Sequence, residues 1–300
     1  MGRRKNRIRT SLSVNIFQGI NYIFLTILAL LCVYPMWYAF AASVSESSKM
    51  MMHMGILLKP LGFTLAAYKQ VFSNPNILTG YANTLFILIV GVIVCIFMTS
   101  LGAYVLSRKN LMWRNVMMMI IMFTMFFSGG MIPSYLLIDR LNMLDTVWAI
   151  LLPTALSAYN VVLVRTYMSS NIPKDLYECA SLDGCSDFRY LVSIVIPLSK
   201  TIIAVMALLY GVGIWNNYFN AMMYIRDRNL YPFQLVLRDV LVLNMGMGNP
   251  SDIAEQQERL MFSYLLKYST IVVGCLPVMI AYPFVQKYFV KGIMIGALKG

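Results

Sequence analysis

Six long apolar runs recur along this chain, and they constrain its fold more than any other feature. An α-helix of about 20 residues crosses the hydrocarbon layer of a membrane, because it satisfies its own backbone hydrogen bonds in lipid. Hydrophobic residues make up 59% of the 300 residues and charged residues only 12%, which is too little polar surface to cover a soluble core. We therefore predict an all-α, polytopic membrane protein with six transmembrane helices. The predicted spans are residues 17–41, 80–106, 115–133, 146–168, 192–215 and 264–288.

The distribution of charge predicts the orientation of these spans. Lys and Arg near the ends of spans are retained in the cytoplasm, and one of the two orientations places 15 of the 24 basic residues inside. In that orientation the N-terminus and the C-terminus are both cytoplasmic, and the chain lies in the cell membrane. Its pI of about 9.5 then reflects topology and contact with anionic membrane lipid, not binding of nucleic acid.

The same orientation divides the chain into three parts. Residues 1–16 form a basic cytoplasmic N-terminus, residues 17–290 the transmembrane domain, and residues 291–300 a cytoplasmic tail. Two connections within the transmembrane domain are long enough to carry structure of their own: an inner loop at 170–190 and an outer loop at 216–263. The mixed charges of the outer loop suit docking of a soluble protein, and a merely solvated loop is the competing interpretation.

Catalytic and metal-binding residues are not evident. The one histidine, His53, lies in a predicted outer loop, and a metal site needs several ligands. An ATP-binding G-x-x-x-x-G-K-[ST] loop is absent, so the chain has no predicted ATPase site of its own. The six predicted spans contain no Asp, Glu or His, the residues that proton-coupled carriers use inside the membrane. This pattern argues against an enzyme and against a secondary transporter.

The inner loop has helix start and stop signals at regular distances. Pro173 suits a first helical turn, and Asp175 and Glu178 lie near its positive end. Gly184 is a residue that ends helices, and Ser186 can cap a second helix that Pro197 then bends. We predict two short helices that meet at a glycine and form a cytoplasmic two-helix loop. A plain solvated connection would not require this pattern.

Three stretches of the chain resemble one known family. Glu178, Ala180, Gly184, Ile194 and Pro197 are similar to the "EAA" loop of permease subunits in binding-protein-dependent ABC importers, with Cys179 in place of the usual first alanine. The stretches "GIWNNYFNAMMYI" and "KGIMIGALKG" resemble those of the larger carbohydrate uptake family, in particular the second permease of maltose-type importers. The resemblance is closest to permeases for complex or acidic oligosaccharides, and a permease for a non-sugar solute is the alternative.

This resemblance implies partners and a coupling site. The partners would be a second, different permease, two ATPase subunits, an extracellular binding protein and an oligosaccharide substrate. ATP and Mg²⁺ would be bound by the ATPase subunits, and this chain would hold no cofactor. In the coupling loop, Glu178 would pair with a basic group of the ATPase, Ala180 would allow close approach, and Gly184 would permit the bend. The full predicted coupling set is Glu178, Ala180, Asp183, Gly184, Ile194 and Pro197.

Candidate sugar-binding residues lie at the end of the fifth predicted span and within the fourth. Aromatic rings stack on sugars, and amides satisfy sugar hydroxyl groups. Trp and Tyr also gather at membrane interfaces, and an Asn within a span can bond to a neighbouring helix, so structural explanations stand beside the functional one. The candidates are Trp215, Asn216, Asn217, Tyr218, Asn220, Tyr159 and Asn160.

Overall fold

The computed structural model of this protein describes residues 11–108, 110–242, 265–280, 282, 283 and 286. All regular secondary structure in these residues is helical. The basic residues before Ser11, the part of the outer loop after Val242 and the tail at 291–300 lie outside the described part. The α-helices are α1 Leu12–Ser43, α2 Ser47–Met52, α3 Ala66–Ser73, α4 Pro75–Ser107, α5 Arg114–Phe126, α6 Met131–Arg140, α7 Val147–Leu151, α8 Ala158–Asn171, α9 Asp175–Leu182, α10 Asp187–Tyr190, α11 Ile196–Leu198, α12 Lys200–Trp215, α13 Phe219–Tyr224, α14 Phe233–Val242 and α15 Leu265–Ile280.

The chain divides into two compact units, Met1–Val71 with Met247–Val272, and Phe72–Gly246 with Val273–Gly300. In the first unit α1 is apolar and exposed over nearly its whole length, and its buried residues are confined to its C-terminal end. There Ala41 and Ala42 pack with Met50, Leu57 and Leu265. The bare apolar surface of α1 is suited to contact with lipid or with another membrane subunit.

In the second unit, α4 is the central helix, and α8, α12 and α14 pack against it. Glycines allow these close approaches. A Cβ atom on Gly91 would lie 2.6 Å from Leu151 Cδ2 and 2.8 Å from Ile214 Cδ1, and one on Gly80 would lie 3.2 Å from Phe233 Cα. Small residues at helix crossings are the usual means of tight packing between membrane helices.

The predicted spans differ in how continuous they are. The first two are single helices, α1 and α4, each long and apolar enough to cross a membrane. Each of the next three is a pair of helical segments joined by a bend. The angle is 111° between α5 and α6, 51° between residues 147–154 and α8, and 84° between residues 187–198 and α12. The predicted bend at Pro197 is therefore present, whereas the bends inside 115–133 and 146–168 were not predicted.

Local backbone chemistry explains these bends. Between α5 and α6 lies Gly130, with φ of +87°, and before α8 the chain passes Pro153 in a short 3₁₀ turn. Before α12 stands Pro197, which cannot donate a helical hydrogen bond. Of the sixth predicted span, the described part contains the 16-residue helix α15. The count of six membrane crossings thus stays a prediction.

The described part of the outer loop is folded onto α4. The buried backbone N–H of Phe233, at the start of α14, donates to Thr84 Oγ1 at 2.8 Å. The side-chain amide of Asn83 donates to the carbonyl oxygens of Asn229, at 2.6 Å, and Tyr231, at 3.1 Å. This portion is not a merely solvated connection, because α4 satisfies its backbone groups.

Candidate functional site

The predicted two-helix loop forms with a glycine at its corner. After α9, the N–H of Cys185 donates to the carbonyl of Ala180 at 2.9 Å, and the N–H of Gly184 donates to that of Ser181 at 3.1 Å. Gly184 has φ of +73°, so the two bonds form a Schellman motif with glycine in the left-handed position. A Cβ atom on Gly184 would meet no atom within 4 Å. Glycine is therefore required here by the backbone conformation and not by crowding within this chain.

The second arm of the loop begins at the predicted cap. Ser186 Oγ accepts the backbone N–H of Arg189 at 3.4 Å, and α10 starts at Asp187. This arm continues through a π-helical turn, Leu191–Val195, into α11, and it ends at the 84° bend after Pro197. At the other end of the loop, Pro173 stands before the helix and not in its first turn, because Lys174 is the N-cap of α9. We call Lys174 to Leu198 the coupling segment.

The six predicted coupling residues divide by burial. Glu178, Asp183, Gly184 and Pro197 are exposed and available to another protein, and Ile194 is half-buried. Ala180 is only 8% exposed and lies in the hydrophobic core. Its small side chain therefore permits close packing inside this chain, and its role in the approach of an ATPase stays a prediction.

A cavity of about 170 Å³ lies beside the coupling segment. Its wall carries one carboxylate, that of Glu178, and three cations, Arg108, Arg114 and Lys174. The Nε atom of Arg114 is buried there without a hydrogen-bond partner. The cavity is lined by Tyr104, Ser107, Arg108, Asn110, Arg114, Met168, Ser169, Ile172, Pro173, Lys174, Tyr177, Glu178, Tyr190 and Val195. The ends of α4 and α8 and the start of α5 thus meet α9 around a positively charged space.

The candidate sugar residues at the end of α12 differ in their exposure. Trp215 is 4% exposed, and its ring packs 6.1 Å from the ring of Tyr81 and 6.4 Å from that of Phe233. Little of the indole is therefore open to a ligand in this structure, and a direct contact of Trp215 with sugar stays a prediction. Sequence position alone could not reveal this burial.

The neighbouring polar residues make local hydrogen bonds. Asn216 donates from Nδ2 to the carbonyl of Val212 at 3.0 Å, and Asn217 Oδ1 accepts the N–H of Asn220 at 3.2 Å. Asn216 and Asn217 therefore stabilise the end of α12 and the start of α13. The side chain of Tyr218 is exposed.

Tyr159 and Asn160 lie in the first turn of α8, immediately after the 51° bend. Tyr159 is 57% exposed and Asn160 is 7% exposed, so only the tyrosine presents its ring to the surface. Sequence reasoning missed the polar groups that hold this bend. Tyr210 Oη accepts the backbone N–H of Ser157 at 3.2 Å and shares a 2.6 Å hydrogen bond with Thr99 Oγ1. Polar residues inside otherwise apolar runs are the signal that could have identified them.

Comparisons with known proteins identify the family of the chain. Residues 98–294 match the family model for the binding-protein-dependent transport system inner membrane component. The chain is 38% identical to a polygalacturonan/rhamnogalacturonan transport system permease protein of Bacillus subtilis (strain 168), YtcP, over 95% of this chain and 99% of the relative. It is also 38% identical to protein LplC of the same organism, over 95% of each chain.

A solved structure is similar over nearly the whole length. One chain from the crystal structure of a bacterial ABC transporter involved in the import of the acidic polysaccharide alginate superposes with a TM-score of 0.85. The sequence identity is 34%, and the match covers 94% of this chain and 100% of the other. Subunits of this family have no ATPase site of their own and are accompanied by a partner permease, an ATPase and a substrate-binding protein. The chain therefore belongs to the family of binding-protein-dependent transport system inner membrane components, the membrane-spanning permease subunits of ABC importers.

Proposed function

We propose that this permease translocates acidic oligosaccharides, of the uronic-acid-containing kind, across the cell membrane. The observation that carries this proposal is the similarity at 38% identity to a polygalacturonan/rhamnogalacturonan permease. The similarity to a chain of a transporter involved in alginate import supports it, since all these named polysaccharides include acidic sugars.

In this proposal the coupling segment docks on an ATPase subunit at the cytoplasmic face, and both termini are also cytoplasmic. One copy of this chain pairs with one different permease, and each permease engages one of two ATPase subunits that bind ATP and Mg²⁺. Glu178 is exposed at the surface of α9 and pairs with a basic group of the ATPase. The rigid turn at Gly184 presents the end of α9 and the start of α10 together, and an external binding protein docks on the outer loop.

The sugar path in this proposal passes the bend before α8. Non-helical backbone at membrane depth is tolerated where it is buried in protein or lines a cavity, and transporter binding sites are often formed by such broken helices. Tyr159 is exposed beside the bend and provides a ring face for stacking. Tyr218 and Asn220 lie toward the outer connection and contact sugar at entry. Trp215 does not contact sugar in this proposal but packs against Tyr81 and Phe233.

The test is stimulation of ATP hydrolysis in the assembled transporter. The complete complex is reconstituted in lipid, and its binding protein is loaded with oligogalacturonides, alginate oligosaccharides or neutral maltooligosaccharides. We expect the acidic sugars to stimulate hydrolysis and to accumulate inside proteoliposomes, with little response to the neutral series. Equal or stronger stimulation by the neutral series would refute the proposed substrate class.

A matched pair of variants tests the docking of the coupling segment. Glu178→Gln removes the predicted ion pair, whereas Asp175→Asn removes another exposed carboxylate from the same helix. We expect Glu178→Gln to weaken ATPase binding by about thirtyfold or more and to lower uptake with it, because breaking a desolvated interface ion pair costs about 2–5 kcal/mol. Asp175→Asn should have a much smaller effect. Similar values for the two variants would show that Glu178 has no specific partner.

A further inference from the structure

Arg108 ends α4 and contacts the coupling segment with its guanidinium group. The Cζ atom lies 3.3 Å from the ring centroid of Tyr177 on α9, which is a close cation–π stack. The Nη2 atom lies 3.2 Å from Oδ1 of Asp187, the first residue of α10. The Nη1 atom donates to Tyr104 Oη on α4 at 3.3 Å. One side chain therefore holds both arms of the segment.

The surrounding groups reinforce this arrangement. Tyr104 Oη donates to the same Asp187 oxygen at 3.3 Å, so Arg108, Tyr104 and Asp187 form a closed ring of polar contacts. Tyr190 packs edge-on against Tyr177, with centroids 5.2 Å apart, and lies 6.3 Å from Tyr104. The buried Tyr190 thus packs against the two tyrosines that contact Arg108.

The stack with Tyr177 makes this more than a surface ion pair. Asp187 has a side chain that is 67% exposed, and a pair with such a partner contributes little by itself. The side chain of Arg108 is only 23% exposed. The plane of its guanidinium group stacks on the ring of Tyr177, and its Nη2 atom contacts the carboxylate of Asp187. Lysine cannot make these contacts together, because its ammonium group is a point charge without a plane. In the described part of the chain, the ion pair of Arg108 with Asp187 is the salt bridge between the coupling segment and another helix.

We propose that Arg108 is the positioning residue that ties the coupling segment to α4, so that displacement of the segment moves α4. This inference rests on the proposed function, in which the segment docks on an ATPase. Because α8, α12 and α14 all pack on α4, the displacement reaches the centre of the second unit. Arg108 touches neither nucleotide nor sugar in this scheme and acts through the two arms that it holds.

The test is the number of ATP molecules hydrolysed per sugar imported by the complete complex in proteoliposomes. For Arg108→Gln we expect normal assembly and basal hydrolysis, with about tenfold lower uptake and a correspondingly higher ATP-to-sugar ratio. Arg108→Lys should give an intermediate ratio. Arg114→Gln is the matched control, because Arg114 lines the same cavity but has no ion pair with the segment, and we expect a wild-type ratio.

A wild-type ratio in Arg108→Gln would overturn the inference. If that variant does not assemble, Tyr177→Leu and Tyr177→Phe replace it, since only phenylalanine keeps the aromatic face. A raised ratio for leucine alone supports the stack, and equal ratios for both overturn it.

Hydrogen exchange separates this inference from the proposed function. In Arg108→Gln, amides of residues 175–190 should exchange faster than in wild type, whatever the transported solute. Unchanged exchange would overturn the inference, whereas failure of wild type to import acidic sugar would refute only the proposed substrate.

Discussion

Replacement of Gly184 by valine measures how much the turn of the coupling segment depends on one backbone angle. Gly184 has φ of +73°, a conformation that costs an L-residue about 1–2 kcal/mol, and more when the side chain is β-branched. Because a Cβ atom would meet nothing within 4 Å, steric contact within the chain adds no cost. The penalty falls on the two hydrogen bonds that close α9, from Cys185 to Ala180 and from Gly184 to Ser181. We expect this turn to open about 5 to 30 times more often than in wild type.

The assay is hydrogen exchange of the peptide that contains Cys185, measured on the assembled complex together with uptake. Gly184→Asn is the matched control, because asparagine tolerates the left-handed region and should give a much smaller increase in exchange. Equal loss of uptake for both variants, with exchange unchanged, would refute this reasoning. Glycine would then be required for space against a partner subunit and not for its backbone angle.

Three further predictions follow from contacts within the second unit. Thr84→Val removes the acceptor of the buried Phe233 N–H and should destabilise the protein by about 1–3 kcal/mol, measured as earlier thermal unfolding than for Thr79→Val, which loses only an exposed hydroxyl. Gly91→Leu should unfold at a still lower temperature or fail to assemble, because even a Cβ atom at this position lies 2.6 Å from Leu151 Cδ2 of α7. Normal thermal stability of this variant would contradict the close packing of α4 on α7. The backbone N–H groups of Arg226 and Asp227 hold the pKa of Asp145 below its usual range. The stabilisation from Asp145 is therefore fully present above its unfolded pKa of about 3.9 and is lost as the pH falls through its folded pKa. The expected result is faster hydrogen exchange of the Arg226 amide below about pH 4. Asp145→Asn should remove this dependence, and protection that persists at low pH would contradict the assignment.

Features that depend on local chemistry could be predicted from the sequence. The apolar runs identified the membrane class, because lipid requires long stretches without charge. The two arms of the coupling segment, the cap at Ser186 and the turn at Gly184 were also predicted, since capping and left-handed turns involve residues close together in the chain. The bends at 127–130 and 155–157 were missed, because hydropathy records the length of an apolar run and not its straightness.

The burial and contacts of residues that pack against segments far away in the sequence were decided only by the tertiary structure. Trp215 is buried because Phe233, which follows it by 18 positions, packs beside Tyr81 of α4, and no local pattern encodes that meeting. Ala180 faces the core for the same reason. Arg108 looked like one more cytoplasmic charge at the end of a span, yet it stacks on Tyr177, 69 positions later in the chain. Hydrophobicity and caps are properties of neighbouring residues, whereas burial and coupling depend on which helices pack together.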